Sequence, residues 1–297
     1  MPDFQKEMEN KVVKIHFTKM HGCGNDYIYV NCLAGELPAP GKLSAAMSPR
    51  HFSVGADGLV MICASDTADA KMRMFNLDGS EGKMCGNAIR CVGKYLYDNG
   101  IVTKKEITIE TLSGLKYLTL DVQEGRVRNV TVDMGKADFR AAKIPVVADG
   151  ESVISQPVTV AGEKYYVTCV SMGNPHAVIF LPPPDKLPLL PLEKIGPIFE
   201  NHPIFPERVN TEFVRVIDRQ TLQMRVWERG SGETYACGTG ACATVAAAVK
   251  NGICEFGKPV TVRLVGGDLT ITVEEDYRVF MAGSATKVYE GVYEYEE

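Results

Sequence analysis

The chain contains one Cys-Gly turn twice, and the segments around each copy also correspond. "MRMFNLDGSEGKMCG" (72–86) and "MRVWERGSGETYACG" (224–238) align without a gap, and the offset between Cys85 and Cys237 is 237 − 85 = 152 residues. Three further pairs of segments occur in the same order at nearly the same offset; they begin at Gly24 and Gly173, at Lys105 and Lys258, and at Val132 and Phe280. Because this period is far longer than that of a solenoid repeat, the sequence predicts two homologous domains of about 150 residues each.

Each half combines short strands with a helix that follows its Cys-Gly turn. Segments such as "KIHFTKM", "LVMIC" and "EITIET" are rich in β-branched and aromatic residues and are separated by turn signals, which indicates strands. "NAIRCVGKYLYDNG" and "GACATVAAAVKNG" end in Asn-Gly, a helix-stop signal, and their apolar composition predicts helices enclosed by strands. "SAAMSPRHF" and "PLEKIGPIFENH" are predicted to form a second helix in each half. The predicted fold class is therefore α+β, with two pseudo-symmetric domains.

Composition limits the classes of partner and compartment. A net charge of −5 gives no reason to expect nucleic acid or an anionic membrane surface, and no apolar run approaches the roughly 20 residues of a membrane span. The N-terminus "MPDFQKEMENKVVK" lacks the apolar segment of a secretory signal, so we expect a cytoplasmic protein with a short frayed extension before its first strand. A proline-rich surface loop is predicted over residues 181–191.

The nine cysteines are an odd number in mostly apolar surroundings. Five of them are predicted to be buried, reduced thiols: Cys32, Cys63, Cys91, Cys169 and Cys254. Cys23 lies in a Gly-rich turn and is expected to be more exposed. The sequence has no CxxC pair, no Rossmann GxGxxG and no pair of histidines at metal-ligand spacing, so neither a metal nor a cofactor is indicated.

Cys85 and Cys237 each lie at a predicted strand-to-helix junction. A thiol there is close to the positive end of the helix dipole and to free N–H groups, which favour the thiolate. The N–H groups of Gly86-Asn87 and Gly238-Thr239 suit a carboxylate. If the two halves face one another, the thiols lie on opposite sides of a ligand, so one can remove a proton from a stereocentre while the other delivers one. Purely structural cysteines at the two helix starts are the alternative.

The sequence resembles the diaminopimelate epimerase family. The similar motifs are "FTKMHGCGNDYIYV" (17–30), "MFNLDGSEGKMCGNAIRC" (74–91), "VSMGNPHAVIF" (170–180), "ERVNTEF" (207–213) and "WERGSGETYACGTGACA" (227–243). The resemblance implies two domains, each a strongly curved, mostly antiparallel sheet wrapped round a central helix. It also implies a cofactor-independent epimerisation of LL- to meso-diaminopimelate, in lysine and peptidoglycan precursor synthesis in a bacterial cytoplasm, by a homodimer.

The resemblance also implies roles for individual residues. Cys85 and Cys237 match the catalytic thiols. The expected substrate-binding positions are Asn25, Asn76, Gly86, Asn87, Asn174, Asn210, Glu228, Arg229, Gly238 and Thr239. His176 and Glu228 match a pair that tunes the thiols or orients the substrate. Gly58 departs from the pattern, because some members have a substrate-contacting Gln there. We expect the halves to span residues 1–131 and 132–282, with the C-terminal strand 283–297 returning to the first half.

Other interpretations of the paired cysteines stay open at this point. A proline racemase or hydroxyproline epimerase shares the fold and the two thiols, but a proline ring has no distal charged end for Glu228 and Arg229 to bind. An isomerase of the phenazine-biosynthesis type shares the fold without two catalytic cysteines. A non-enzymatic binding module is a further alternative. A zinc site built from Cys85, Cys91, Cys237 and Cys242 is disfavoured, because the spacings place the members of each pair on different helix faces.

Overall fold

The computed structural model of the chain describes residues 12–184 and 187–296. The predicted N-terminal extension, residues 1–11, and two positions of the predicted proline-rich loop lie outside the described residues. No helix within the described ranges has the length and apolar character needed to cross a membrane.

Within the described residues, the first half of the chain contributes eight strands and two helices. The strands are β1 (Val12–Gly22), β2 (Asn25–Cys32), β3 (Gly58–Cys63), β4 (Ala70–Asn76), β5 (Glu81–Gly82), β6 (Glu106–Thr111), β7 (Gly114–Gln123) and β8 (Arg126–Lys136). The helices are α1 (Pro40–Met47) and α2 (Gly86–Asp98).

The second half contributes the remaining elements. The strands are β9 (Gln156–Val160), β10 (Glu163–Ser171), β11 (Pro175–Phe180), β12 (Asn210–Asp218), β13 (Thr221–Glu228), β14 (Gly232–Glu233), β15 (Val260–Leu264), β16 (Gly267–Val273), β17 (Arg278–Gly283) and β18 (Thr286–Glu296). The helices are α3 (Leu192–Glu200) and α4 (Gly238–Lys250), and single 3₁₀ turns occur at Ala141–Lys143 and Leu187–Leu189.

The two halves have the same strand pairing, which confirms the predicted pseudo-symmetric fold. In the first half, β1–β2, β3–β4, β6–β7 and β7–β8 are antiparallel, whereas β2–β3 and β4–β6 are parallel. The second half repeats this order from β10 to β17, again with two parallel pairs, β11–β12 and β13–β15. Each sheet is therefore mostly antiparallel.

The two sheets are joined where β8 pairs antiparallel with β17, in a register that brings Val132 opposite Met281. Strand β9 pairs with β10, and β18 pairs along its length with β1. The strand that follows β17 thus extends the sheet of the first half, while the strand that follows β8 extends that of the second. The expected boundary between residues 131 and 132 falls inside β8, the strand that links the sheets.

Helices α2 and α4 are enclosed by strands, as predicted. Residues Ala241 to Ala248 of α4 are fully buried, and both helices belong to one continuous apolar core. Small residues permit this close packing. A Cβ atom at Gly93 of α2 would lie 3.0 Å from Leu118 Cδ2 of β7, so glycine lets the leucine side chains of that strand pack closely against the helix. The sheets can therefore curve tightly around the helices that carry the Cys-Gly turns.

Two predictions about the first half are wrong in detail. The helix predicted over "SAAMSPRHF" instead begins at Pro40 and ends at Met47. Its last carbonyls accept from Gly55 and Ala56, because Pro49 has no N–H and cannot continue the helix.

Cys23 is 4% exposed, since the chain packs tightly around its turn: a Cβ on Gly266 would lie 1.9 Å from the Cys23 carbonyl oxygen. The five cysteines predicted to be buried are buried.

Candidate active site

Cys85 and Cys237 are the N-cap residues of α2 and α4. Both have extended backbone conformations, with φ and ψ of −130° and 122° at Cys85 and −112° and 109° at Cys237. The Cys85 sulfur accepts a hydrogen bond from the Ala88 N–H at 3.5 Å, and the Cys237 sulfur accepts one from the Gly240 N–H at 3.3 Å. Each thiol therefore lies at the positive end of a helix dipole, where negative charge on sulfur is favoured.

The two helix N-termini adjoin each other across the pseudo-twofold axis. A Cβ atom built on Gly238 would lie only 3.7 Å from the Cα atom of Gly86. The Asn87 amide donates to the carbonyl of Ala236, the residue before Cys237, at 3.2 Å. The side chain of Met281 packs against both glycines, and a side chain on either one would displace it. The structure thus brings Gly86, Asn87 and Gly238 together where the starts of α2 and α4 adjoin.

Asn25 connects Cys85 to a charged cluster of the first half. The Cys85 thiol lies 3.3 Å from Asn25 Oδ1, to which it can donate, and Asn25 Nδ2 donates to Asp57 at 2.8 Å. The other Asp57 oxygen accepts from Arg50 at 2.8 Å. Because the amide group donates on its Asp57 side, its oxygen has to face the sulfur. Asp57 therefore fixes which end of Asn25 reaches the site.

Two carboxylates approach Cys237. Glu228, at the end of β13, accepts a hydrogen bond from the Thr234 hydroxyl, and its negative charge acts on the Cys237 thiol. Burial raises the pKa of Glu228 above its ordinary value, while Thr234 and the nearby His176 act in the opposite direction. The second carboxylate belongs to Glu212 of β12, and a Cβ atom on Gly240 would lie 2.7 Å from its Oε1.

A chain of hydrogen bonds leads from Glu212 to Cys237. Glu212 Oε1 lies 2.7 Å from His176 Nδ1, and His176 Nε2 lies 3.0 Å from Asn174 Oδ1. Asn174 Nδ2 donates to the Thr239 hydroxyl at 3.3 Å, and that hydroxyl lies 3.5 Å from the Cys237 sulfur. In this orientation of the Asn174 amide, His176 Nε2 carries a hydrogen, and the Thr239 hydrogen is free to point at the sulfur. Thr239 can therefore stabilise a Cys237 thiolate.

The surroundings of the two thiols act differently on their pKa values. Burial raises the pKa of Cys85, while the N–H groups of Ala88 and Asn87 and the charge of Arg90 oppose that rise. The pKa of Cys237 is raised further, because the negative charges of Glu228 and Glu212 add to the effect of burial. The Cys85 side of the site consequently favours a thiolate more than the Cys237 side does.

The other predicted positions are engaged in supporting contacts. Asn76 donates from its amide to Ser80 at 3.0 Å, within the turn after β4. Asn210 donates to the Pro175 carbonyl at 2.8 Å and accepts from the Arg229 N–H at 2.9 Å, so it joins β11 to the loop that carries Arg229. The Arg229 guanidinium is half-buried and donates to the Glu207 carbonyl at 2.9 Å. Asn210 is buried opposite His176 and holds the loop that carries Arg229, whereas Asn76 is engaged within its own turn.

Gly58 has no room for a side chain. A Cβ atom there would lie 2.0 Å from the Phe75 carbonyl oxygen and 3.0 Å from Cε1 of Tyr27. The ring of Tyr27 therefore occupies the space beside Gly58. Burial raises the pKa of Tyr27 well above its ordinary value, and the charges of Cys85 and Asp57 act in the same direction.

Sequence reasoning missed three charged residues of the site: Asp57, Arg90 and Glu212. A usable signal existed for the last two. Arg90 is the charged residue of the apolar segment "NAIRCV" in a helix predicted to be enclosed, and Glu212 follows Asn210 by two positions, hence on the same face of a strand. An ionisable residue at a buried position is uncommon and frequently functional. No comparable pattern pointed to Asp57.

Comparison with known proteins gives close relatives. The family model described as diaminopimelate epimerase matches residues 17–140 and 168–288, which is more than half of the chain. The chain is 55% identical over 278 residues to a diaminopimelate epimerase from Acetivibrio thermocellus and 53% identical over 276 residues to one from Methanococcus maripaludis. Each of these two matches covers 93% of this chain and 98% of the relative.

Solved structures with the same fold are far more distant in sequence. A hydroxyproline epimerase from Agrobacterium vitis superposes with a TM-score of 0.68 at 15% identity, over 95% of this chain and 92% of the other. A phenazine biosynthesis protein of the PhzF family from Bacillus anthracis gives a TM-score of 0.66 at 16% identity, over 95% and 99%. At such low identity these likenesses show the fold alone.

Proposed function

The chain belongs to the diaminopimelate epimerase family, and from that membership we propose that it interconverts LL- and meso-2,6-diaminopimelate through two thiols. The observation that carries the mechanism is the position of Cys85 and Cys237 as N-caps of two adjoining helices. A proline racemase with the same fold is the alternative, which the close relatives do not favour.

In the proposed reaction, one cysteine thiolate takes the α-proton of the substrate. The C–H bond breaks, an S–H bond forms, and the electron pair spreads onto the adjacent carboxylate. The N–H groups at the starts of α2 and α4 stabilise that charge as it develops. The opposite thiol then donates its proton to the other face of the carbon and becomes the thiolate. The configuration inverts, and no cofactor takes part.

The polar side chains around the thiols support this assignment. Asn25 and Asn87 lie beside Cys85, and Asn174 and Thr239 lie beside Cys237. Together they offer donors and acceptors for a substrate with two amino and two carboxylate groups. Arg229, whose backbone N–H bonds to Asn210, is the candidate anchor for the distal carboxylate. The position of Glu228 beside Cys237 supports the proposal that it tunes the thiol.

Three further assignments accompany this function. We propose that the enzyme works in the cytoplasm as a homodimer, on the basis of the family alone, and that its product serves lysine and peptidoglycan precursor synthesis. We also propose that residues 1–131 with 283–297 form one domain and residues 132–282 the other. The pairing of β18 with β1 supports the return of the C-terminal strand.

Exchange of hydrogen with solvent tests the proposed function. The protein is incubated in D₂O with LL-diaminopimelate and without added cofactor. The stereoisomers of the product are separated, and their deuterium content is measured by mass spectrometry. We expect meso-diaminopimelate with one deuterium, at the inverted α-carbon. Parallel incubations with L-proline and trans-4-hydroxy-L-proline should leave both unchanged. Exchange into either ring substrate, with none into diaminopimelate, would assign the chain to the racemase alternative.

A further inference from the structure

Arg90 is a charged side chain in the interior of the protein. It is the largest fully buried residue, with 0% exposure. An arginine keeps its proton in proteins, and burial of its charge is costly unless something nearby compensates for it. Within the described ranges, however, each hydrogen-bond partner of its guanidinium is uncharged. A buried cation without a carboxylate partner calls for another source of compensation.

The guanidinium lies against the start of α2 and close to the joint between the halves. It donates to the Gly86 carbonyl at 3.0 Å, to Asn87 Oδ1 at 3.0 Å and to the Ser284 carbonyl at 3.3 Å. The sulfur atoms of Cys23 and Met281 lie 3.7 Å and 3.8 Å from its nitrogens. Its hydrogen-bonding capacity is therefore directed at the helix terminus that carries Cys85.

Two glycines make room for the guanidinium. A Cβ atom on Gly22 of β1 would lie 2.8 Å from Arg90 Nη2, and one on Gly283 of β17 would lie 3.0 Å from Arg90 Nε. These glycines come from different halves of the chain, so both sheets leave space at the same point. In the second half, the position that corresponds to Arg90 is Cys242, since 242 − 90 = 152. The second half therefore has no positive charge at this position.

Arg90 determines the orientation of Asn87. A guanidinium can only donate, so the Asn87 atom that faces it is the oxygen. The Asn87 nitrogen then points to Asn25 Oδ1 at 3.4 Å and to the Ala236 carbonyl at 3.2 Å. Asn25 Oδ1 is the atom that faces the Cys85 thiol at 3.3 Å. A fixed sequence of contacts thus runs from Arg90 through two amides to Cys85.

Charged and titratable groups face Cys85 from several elements. They are Arg90 and Cys91 of α2, Tyr27 and Tyr29 of β2, and Glu228 of β13. Of these, only Arg90 lowers the pKa of Cys85, whereas the charge of Glu228 raises it. Around Arg90 itself lie Cys242 of α4 and Cys23, which Asp268 of β16 also faces. Among the described residues no carboxylate hydrogen-bonds to Arg90, so its charge is available to balance negative charge at the start of α2.

We propose that Arg90 is a positioning residue of the reaction centre, a buried cation that stabilises the Cys85 thiolate and holds the Asn87 amide toward the second half. The inference rests on the proposed function for its role in turnover. Its electrostatic part concerns the free protein and can be measured without substrate. Because burial raises the pKa of Cys85, the guanidinium charge acts when that thiol ionises, and during turnover it also balances the developing substrate anion.

The test follows the alkylation of Cys85 by iodoacetamide as a function of pH, with each cysteine peptide quantified by mass spectrometry. Arg90→Met removes the charge, so we expect the Cys85 profile to move to higher pH and kcat/KM at neutral pH to fall about 10²-fold or more. Raising the pH should recover part of that loss. Arg90→Lys keeps the positive charge but cannot make all the hydrogen bonds of the planar guanidinium. It should therefore retain the pH profile of Cys85 alkylation and lose turnover.

Lys94→Met is the matched control. It removes one positive charge from the same helix, but Lys94 bonds to Asp98 and to the Val127 carbonyl and not to the reaction centre. Both the Cys85 profile and the activity should stay at the wild-type values. If Arg90→Met folds and its Cys85 profile coincides with that of the wild type, the proposal is wrong. A shifted profile in a protein that exchanges no diaminopimelate hydrogen would overturn the proposed function and support the charge effect.

Chemical rescue separates charge from shape. In Arg90→Ala, guanidinium at a non-denaturing concentration should restore the Cys85 profile and turnover, whereas urea, which is similar in shape but neutral, should not. Equal rescue by urea would contradict the electrostatic role. If neither Arg90→Met nor Arg90→Ala folds, Arg90→Gln, which keeps hydrogen-bonding groups without the charge, provides the same comparison of alkylation profiles.

Discussion

The two thiols occupy equivalent positions in two copies of one scaffold, yet their surroundings carry opposite charge. Cys85 has the guanidinium of Arg90 on its own helix, whereas Cys237 has the carboxylates of Glu228 and Glu212 nearby. Strand pairing, helix starts and N-cap geometry are the same in both copies. The repeat therefore gives both thiols the same N-cap geometry, whereas the side chains that differ between the copies act in opposite directions on the pKa values of Cys85 and Cys237.

The residues that differ between the two copies lie in the strands that support the thiols. His176 pairs with Asn210 across β11 and β12, and at the equivalent place Tyr27 pairs with Gly58 across β2 and β3. Glu212 stands where the first half has Val60. The second half thus positions its thiol through a buried acid and an imidazole, and the first half does so through amides fixed by Asp57 and Arg90. The two thiols therefore have equivalent backbone positions but different supporting side chains.

Removal of either thiol is the most severe test of this comparison. We expect Cys85→Ala and Cys237→Ala each to lower epimerisation about 10²- to 10⁴-fold in both directions, because each direction needs one thiolate and one thiol. The rates are measured by chiral chromatography from LL- and from meso-diaminopimelate. Cys91→Ala is the control: it removes a fully buried thiol from α2, the helix that Cys85 caps, and should retain turnover. Near-normal rates in either single variant would show that the copies are not partners.

The pH dependence of alkylation sharpens the comparison. Because burial and two carboxylates raise the pKa of Cys237 well above its ordinary value, its alkylation profile should lie at higher pH than that of Cys85. A raised thiol pKa means that the proton is lost only at higher pH, so Cys85 should react first as the pH increases. The midpoint of each profile, and not the absolute rate, is the readout, since Cys237 is the more buried thiol.

Glu228→Gln should narrow that difference. The substitution keeps the size of the side chain and removes its charge, so the Cys237 profile should move toward that of Cys85. Cys85 should respond less, because the charge of Glu228 is a smaller influence on it than burial and the N–H groups of Ala88 and Asn87. Superimposable Cys85 and Cys237 profiles in the wild-type protein would mean that the charge difference between the copies has no consequence for the thiols.

The elements that occur in both halves could be predicted from the sequence. The Cys-Gly turns, the helices behind them and the enclosing strands are local patterns that occur twice, and all three are confirmed. The helix predicted over "SAAMSPRHF" ran past Pro49, a stop signal that the sequence contains, whereas the return of Gly55 and Ala56 to the Met47 and Ser48 carbonyls has no local signal. Arg90 and Glu212 were missed for a related reason. They differ between the copies, so a search for repeated residues passes over them.

Burial was predicted well for apolar contexts and poorly for Cys23. Its neighbours in sequence are glycines and polar residues, which are typical of exposed turns. The turn is covered by residues far along the chain, Tyr235 and Gly266, which approach from the second half. Contacts between the copies have no local signal in the sequence, and the sites that depend on such contacts require the structure.

The smallest expected effect comes from a substitution that makes one copy resemble the other. Gly240 corresponds to Ala88, since 240 − 88 = 152, and each donates its N–H to the thiol of its own half. A methyl group at position 240 would lie 2.7 Å from Glu212 Oε1 and 3.2 Å from the Cys237 sulfur. We expect Gly240→Ala to lower the free energy of unfolding by about 1–3 kcal/mol through overpacking, with a severalfold loss of kcat.

A second substitution, at position 212, tests whether the Glu212 carboxylate is the cause of this destabilisation. Glu212→Val places at position 212 the residue that the first half has at position 60, and it removes the obstructing carboxylate. In the double variant Gly240→Ala/Glu212→Val, the destabilisation should be smaller than the sum of the two single effects, because the side chains no longer compete for space. Urea unfolding curves measure this coupling. Additive effects would show that Glu212 does not require the glycine, and that the difference at position 240 has another origin.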